Sequence, residues 1–330
     1  MLAQLVERNN GIVEVIGSIP LHSICCKAAL HYFFFTKGTS DIMKIFIFLL
    51  TCSFSMATSS NLDITVLSER IDNSSSRIYK DIKLSSENPD IFFCLSLPLK
   101  PSPKSLPCVI VLAGVETGQK NIDYISDPNN YILVGYEYPP ILKTLNEKIT
   151  FSDLLPLRKQ TINIPQDILT IIKWLLNQKW TEQKDICVAG YSFGAMLVPA
   201  IYHEAQRTDL QLGPGIIAYA GADLYPIFYV NLPGTEWQKF IKAHIASWLF
   251  KPLQPSLHLP YLKGNFLIIN GMRDKNIPLE QAKKIQELTP TPKTIINLDE
   301  PHMSPTNETL IQKVIDISKK WLDKNLKSSS

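Results

Sequence analysis

Ile186-Cys187-Val188-Ala189-Gly190-Tyr191-Ser192-Phe193-Gly194 is the stretch whose reading decides the fold. Its first four residues form an apolar run of strand length, and Ala195 to Glu204 beyond it has the texture of a helix, so the segment reads as strand, sharp turn, helix. Glycines at 190 and 194 remove the Cβ atoms that would collide where the chain reverses, which lets Ser192 sit strained and exposed at the tip. By composition alone a G-x-S-x-G pentapeptide turns up in on the order of one chain in ten of this length, so the five letters weigh less than their placement. The bland alternative is a tight turn with an incidental serine.

Working outward, continuous apolar runs recur at Val109 to Leu112, Tyr131 to Gly135, Ile216 to Tyr219 and Phe266 to Ile269, with an edge strand expected at Thr294 to Leu298. Helical patterns lie between them at Gln166 to Leu176, Leu279 to Leu288 and Glu308 to Leu322. Unbroken apolar strands separated by helices are the signature of a parallel sheet buried on both faces, hence an αβα sandwich. In such sheets ligands bind beyond the carboxyl ends of the strands, where Ser192 lies. Upstream, Ile64 to Leu67, Ile78 to Leu84 and Ile91 to Leu95 are shorter and alternate with polar residues, which predicts antiparallel, half-exposed strands, and Pro101 to Ser105 reads as a loop.

The segment 224–263 is too long for a simple crossover and carries Trp237, Phe240, Ile241, Ile245, Trp248 and Leu249 at helical spacing. It reads either as a cap over the site, with Trp237 and Trp248 shaping an acyl pocket, or as a helix that buries this stripe on the sheet. Tyr191, beside Ser192, is a further candidate substrate contact.

The chain has 330 residues, 45% of them hydrophobic, and 33 Lys+Arg against 30 Asp+Glu, with a formal net charge of +3 and no run of like charges. That leaves no electrostatic footprint for nucleic acid and points to small neutral or apolar substrates. Residues 1–42 resemble the translation of a transfer-RNA gene, in Leu2 to Arg8 and Gly17 to Pro20, as an early start codon would produce; the alternative is a disordered or membrane-associated extension. Residues 43–57 read as a secretory signal peptide, with Lys44 before the apolar Ile45 to Leu50 and small residues around Met56, leaving 58–330 as a single domain. Periplasmic or secreted location follows; lipid anchoring at Cys52 is the minor alternative, and no stable membrane span is expected. Cys94, Cys108 and Cys187 sit in apolar runs, and export would permit a Cys94–Cys108 disulfide. No Cys or His pair has ligand spacing, so neither metal nor cofactor is expected.

A serine hydroxyl needs a base to take its proton. Of the six histidines, His22 and His31 lie in the prefix, His203 is helical turns past Ser192, and His244 and His258 fall in the long insertion, which leaves His302. With these residues in place the chain resembles the α/β-hydrolases, and its branch resembles dienelactone-hydrolase-like and prolyl-oligopeptidase-like serine esterases. Asn270-Gly271-Met272-Arg273-Asp274-Lys275-Asn276-Ile277-Pro278 is similar to that superfamily's acid loop, so the resemblance implies Asp274 as the acid, with Asp223, one strand earlier, as competitor. It further implies an oxyanion hole from the backbone of Phe193 and Val115, although relatives usually carry His-Gly where this chain has Ala113-Gly114. Glu116 beside them is either a receptor for a cationic group or a solvated charge. The implied function is a secreted serine hydrolase cleaving small or medium carboxylic esters through an acyl-enzyme. The alternatives are a serine peptidase, disfavoured by the absence of a propeller-sized N-terminal region, a thioesterase, or a non-catalytic binding protein retaining the fold.

Overall fold

Apolar runs that alternate with helices collapse into one nine-stranded sheet in the computed structural model, with the order β1-β2-β3-β5-β4-β6-β7-β8-β9. The structure describes residues 63–326 apart from 86–88, 101–104, 129, 145–150 and 179, all within the unit Leu62–Ser330. The expected prefix, signal peptide and Cys52 lie outside the described residues, as does most of the loop at Pro101.

The strands are β1 (Ile64–Asp72), β2 (Arg77–Leu84), β3 (Ile91–Pro98), β4 (Cys108–Leu112), β5 (Ile132–Tyr136), β6 (Ile186–Tyr191), β7 (Gly215–Ala218), β8 (Phe266–Gly271) and β9 (Lys293–Leu298). The β1/β2, β2/β3 and β3/β5 pairs are antiparallel and every pair from β5 to β9 is parallel, so the texture change seen in the sequence coincides with a change in strand direction. Strand β1 is longer than expected because it is an exposed edge, paired along its backbone while Ser68, Glu69 and Arg70 stay in solvent. Polar edge residues discourage pairing with other chains.

Among the described residues the helices of eight residues or more are α1 (Leu154–Ile162), α2 (Ile164–Asn177), α3 (Phe193–Arg207), α4 (Leu224–Asn231), α5 (Glu236–Phe250), α6 (Leu279–Leu288) and α7 (Glu308–Leu326). Successive strand residues face opposite layers, so one cluster gathers Ile110, Val188, Ile217 and Ile268 with α2 and α3, and the other gathers Val109, Cys187, Ile216 and Leu267 with Leu310, Val314 and Leu322 of α7. Among the described residues no helix is long and apolar enough to cross a membrane.

Two buried polar ties lock the layers. Arg77 is almost fully buried; its Nε donates to Ser96 Oγ at 2.8 Å, and its guanidinium reaches the carbonyls of Ser96 (2.9 Å) and Tyr131 (2.6 Å), joining β2 to β3 and to the entrance of β5. The Tyr136 hydroxyl at the end of β5 donates to Asp167 Oδ2 in the first turn of α2 at 2.8 Å. Cys94 and Cys108 are free, which corrects the disulfide option: β5 lies between their strands, about 9.6 Å across two strand spacings, beyond disulfide reach. Burial pushes the Cys94 thiol up to about 12, so it stays protonated.

The apolar stripe of the 224–263 segment is not buried on the sheet. Helix α5 packs on α1 and α4, and it buries Ala243, Leu249 and Phe250 while Trp237, Phe240, Ile241, Ile245 and Trp248 remain exposed. Its N-terminus is closed by a capping box between Thr235 and Gln238.

Between β6 and α3, Ser192 occupies φ 54°, ψ −119°, and its N–H donates to Ala218 O at 2.9 Å. A Cβ at Gly194 would stand 2.3 Å from Leu112 O, and one at Gly190 would stand 2.6 Å from the Ala195 Cα. Gly194→Ala is therefore expected to cost about 3 kcal/mol or more by overpacking; a urea midpoint equal to the wild type would show that the backbone does not require glycine there. Burial raises the Asp167 carboxyl to about 6 from its ordinary 3.8, against the lowering pull of the Tyr136 hydrogen bond. The folded state thus holds a proton that the unfolded chain releases, so this group's contribution is full below about 3.8 and is lost as pH rises through about 6. Asp167→Asn, which stays neutral, should gain up to about 3 kcal/mol at alkaline pH and almost nothing near pH 4; equal gains in urea unfolding at both pH values would rule out ionisation as the cause.

Candidate active site

Three loops at the carboxyl ends of β6, β8 and β9 bring Ser192, Asp274 and His302 together. Ser192 Oγ lies 2.8 Å from His302 Nε2, and His302 Nδ1 lies 2.7 Å from Asp274 Oδ2. Asp274 accepts at its other oxygen from the N–H groups of Asn276 (2.8 Å) and Ile277 (3.0 Å), so the carboxylate is clamped on both sides. Its side chain is only 3% exposed and that of His302 15%, which keeps the line out of bulk water while leaving the imidazole reachable. With Asp274 accepting at Nδ1, that nitrogen carries the proton and Nε2 is left to accept from the serine. The Tyr219 and His302 rings meet in a T-shaped contact, with centroids 5.7 Å apart and planes at 90°. Tyr219 is held at φ 61°, and burial, reinforced by the Asp274 charge, raises its phenol, so it walls the imidazole as a neutral ring.

The competing groups are occupied elsewhere. Asp223 pairs with Lys284 and accepts from Gln254, and it does not reach His302. Asp299 pairs with Arg273, and Glu300 with Lys313. His203 lies against His258, with their Nδ1 atoms 3.0 Å apart, and His244 packs on Phe240 and Tyr225.

The loop after β4 lies beside Ser192 at the same cavity. Thr117 closes it by donating to Gly114 O from both its backbone (3.2 Å) and its hydroxyl (2.8 Å). Ala113 O accepts from Gly194 N–H at 3.1 Å, which ties the loop to the start of α3. The same oxygen accepts from the Tyr138 hydroxyl at 2.8 Å, and the Tyr138 ring meets the Phe193 ring edge-on at 5.5 Å. Tyr138 is fully buried, and burial raises its phenol pKa, so the hydroxyl stays a donor. Thus one side chain touches both the loop that carries Val115 and the residue after Ser192. Sequence reading missed it; a Tyr-Glu-Tyr alternation at the end of an apolar strand was the available signal. The Phe193 N–H belongs to the first residue of α3 and has no intrahelical acceptor.

A cavity of about 340 Å³ opens beside Ser192. Val111, Val115, Tyr124, Ile125, Tyr191 and Met303 line it, together with Ile311 and Ile315 of α7. Tyr191 is therefore placed where a substrate contact would be. Trp237 and Trp248 are not: neither lines the cavity, and they are 69% and 52% exposed on the far side of α5. Glu116 lies exposed on the cavity rim with no ion-pair partner among the described residues. The contribution of α7 was not readable, because its apolar residues serve both the sheet and this wall.

Residues 157–329 match the prolyl oligopeptidase family. No curated protein matches the chain. Among solved structures, the acetyl xylan esterase from Paenibacillus sp. R4 is 12% identical over 82% of this chain and 93% of its own, with a TM-score of 0.56. Acetyl xylan esterase 1 from Thermoanaerobacterium sp. JW/SL YS485 is 14% identical over 78% and 89%, at 0.53. The acylaminoacyl peptidase of Pyrococcus horikoshii is 13% identical over 79% of this chain and 49% of its own, at 0.55. At such identities these likenesses speak for the fold alone. The family match runs over more than half of the chain and contains Ser192, Asp274 and His302; the protein belongs to the prolyl oligopeptidase family, serine hydrolases of the α/β-hydrolase fold.

Proposed function

We propose that the protein hydrolyses carboxylic esters of small or medium size through an acyl-enzyme on Ser192. The observation that carries this reading is the unbroken line from Ser192 Oγ through His302 to Asp274, opening on an apolar cavity. In the first half-reaction His302 Nε2 takes the serine proton as Oγ bonds to the ester carbonyl carbon. The imidazolium formed is stabilised by Asp274, and the negative charge moves to the former carbonyl oxygen, facing the N–H groups of Phe193 and Val115. Collapse expels the alcohol, which takes the proton from Nε2. Water then repeats the sequence on the acyl-serine, releasing the acid and restoring Ser192.

An ester is favoured over a peptide by the cavity walls. Most of the lining is apolar, from Val111, Val115, Ile125, Met303, Ile311 and Ile315, which suits an acyl chain better than a peptide backbone. The volume lies at the low end of small-molecule sites, which fits a short or medium acyl group. Export ahead of residue 58 belongs to the same proposal and rests on the pattern of residues 43–57.

A fluorophosphonate probe should label the wild type and leave Ser192→Ala unlabelled, with nitrophenyl-ester turnover falling by about 10⁴-fold or more. A folded wild type that neither labels nor turns over would sink the proposal in favour of a binding protein. Tyr138→Phe keeps the ring but removes the hydrogen bond to Ala113 O, so kcat should drop by roughly 10- to 100-fold with KM nearly unchanged. A rise in KM at constant kcat would assign Tyr138 to substrate binding instead of to positioning the oxyanion loop.

A further inference from the structure

Helix α5 presents its most apolar face outward. Trp237, Phe240, Ile241, Ile245 and Trp248 are each at least 40% exposed, and Leu155 of α1, the helix packed alongside, is 69% exposed. A solitary exposed apolar residue needs no explanation, but a contiguous stripe along a whole helix marks a contact surface.

We propose that this face pairs with the same face of a second copy, with the two α5 helices antiparallel across a two-fold axis. Together with His244, the stripe occupies positions 237, 240, 241, 244, 245 and 248, spaced 3, 1, 3, 1 and 3. That spacing reads identically in both directions about the midpoint between Lys242 and Ala243, so an isologous contact sets Trp237 against the partner's Trp248 and Phe240 against the partner's Ile245.

The surface is also ordered before any contact forms. The Trp237 ring stacks on Phe240 at 5.8 Å and 12°, Phe240 meets His244 at 4.3 Å, and His244 meets Tyr225 at 4.5 Å. The Arg158 guanidinium covers one face of Trp248 at 4.6 Å. Rings already held lose little freedom on association, and exposed Trp beside Arg is the composition of an energetic centre. Like charges do not oppose the pairing: Lys239 pairs with Glu236, and Lys242 donates to Pro233 O, both away from the stripe. The stripe offers roughly 600 Å² per copy, which places a pair at the lower edge of stable interfaces. A lipid surface is the less fitting occupant, because a helix lying on anionic lipid carries rows of free Lys and Arg along its polar flanks, whereas Lys239, Lys242 and Arg158 are engaged within the fold and Lys251, at the end of α5, is left as an exposed cation without an ion pair among the described residues.

Sedimentation velocity of the full chain from low to high micromolar concentration should give twice the monomer mass. Ile241→Glu, at the centre of the stripe, should weaken association at least about 100-fold, and Trp237→Ser, at its most exposed position, about 10-fold or more. Both should leave nitrophenyl-ester turnover at the wild-type rate, since the stripe lies outside the cavity. A wild type that stays monomeric throughout, whether or not it floats with anionic liposomes, overturns the proposal. So does an Ile241→Glu protein that stays dimeric.

Discussion

The absence of a side chain at residue 194 is the constraint on which the rest of the site depends. Leu112 O, at the end of β4, stands where a Cβ would be, and this closeness lets Gly194 N–H reach Ala113 O, the first carbonyl beyond the strand. Helix α3 is thereby docked against the end of β4 as well as emerging from β6. Ser192 is pinned between them, its own N–H spent on Ala218 O of β7. Three adjacent parallel strands thus hold one residue in a conformation that an isolated chain would leave at once. The strain at Ser192 is a property of the sheet, and Oγ is aimed by it.

The same docking explains how the chain manages without the His-Gly pair expected after β4. A histidine in the place of Ala113 would carry a side chain able to brace the loop from within. Ala113 has no such group, and its carbonyl is held from outside by Gly194 N–H and the Tyr138 hydroxyl. Tyr138 is itself fixed by its edge-on contact with Tyr136, whose hydroxyl is anchored on Asp167. A chain of buried phenols therefore links the first turn of α2 to the loop beside Ser192. It sits where burial keeps each phenol protonated, so each can only be relied on as a donor.

The sheet was legible because burial on both faces writes a continuous apolar run, and all nine strands lie where such runs or short alternations occur. That Ser192, Asp274 and His302 come together was legible because each follows a strand end in a loop of characteristic composition. Tyr138 was hidden because a buried tyrosine near a strand end reads as core, and nothing in one sequence says which carbonyl its hydroxyl will meet. Helix α1 was hidden as well: Leu157 and Thr161 are its buried residues, and Pro156 in its first turn looks like a break although proline is tolerated there.

The misplacement of Trp237 and Trp248 has a different origin. Periodicity reports which face of a helix is apolar and is silent about which face the rest of the chain covers. In α5 the covered side is made by Ala243, Leu249 and Phe250, where a small residue admits close approach and two large ones fill the gap beside α4. Phe250 then reaches both Phe228 (5.4 Å) and Phe193 (6.2 Å), so this narrower face, and not the Trp stripe, connects the insertion to the start of α3. The helix thus carries two apolar surfaces of unequal size on opposite sides. Folding one chain uses the smaller, and the larger stays exposed.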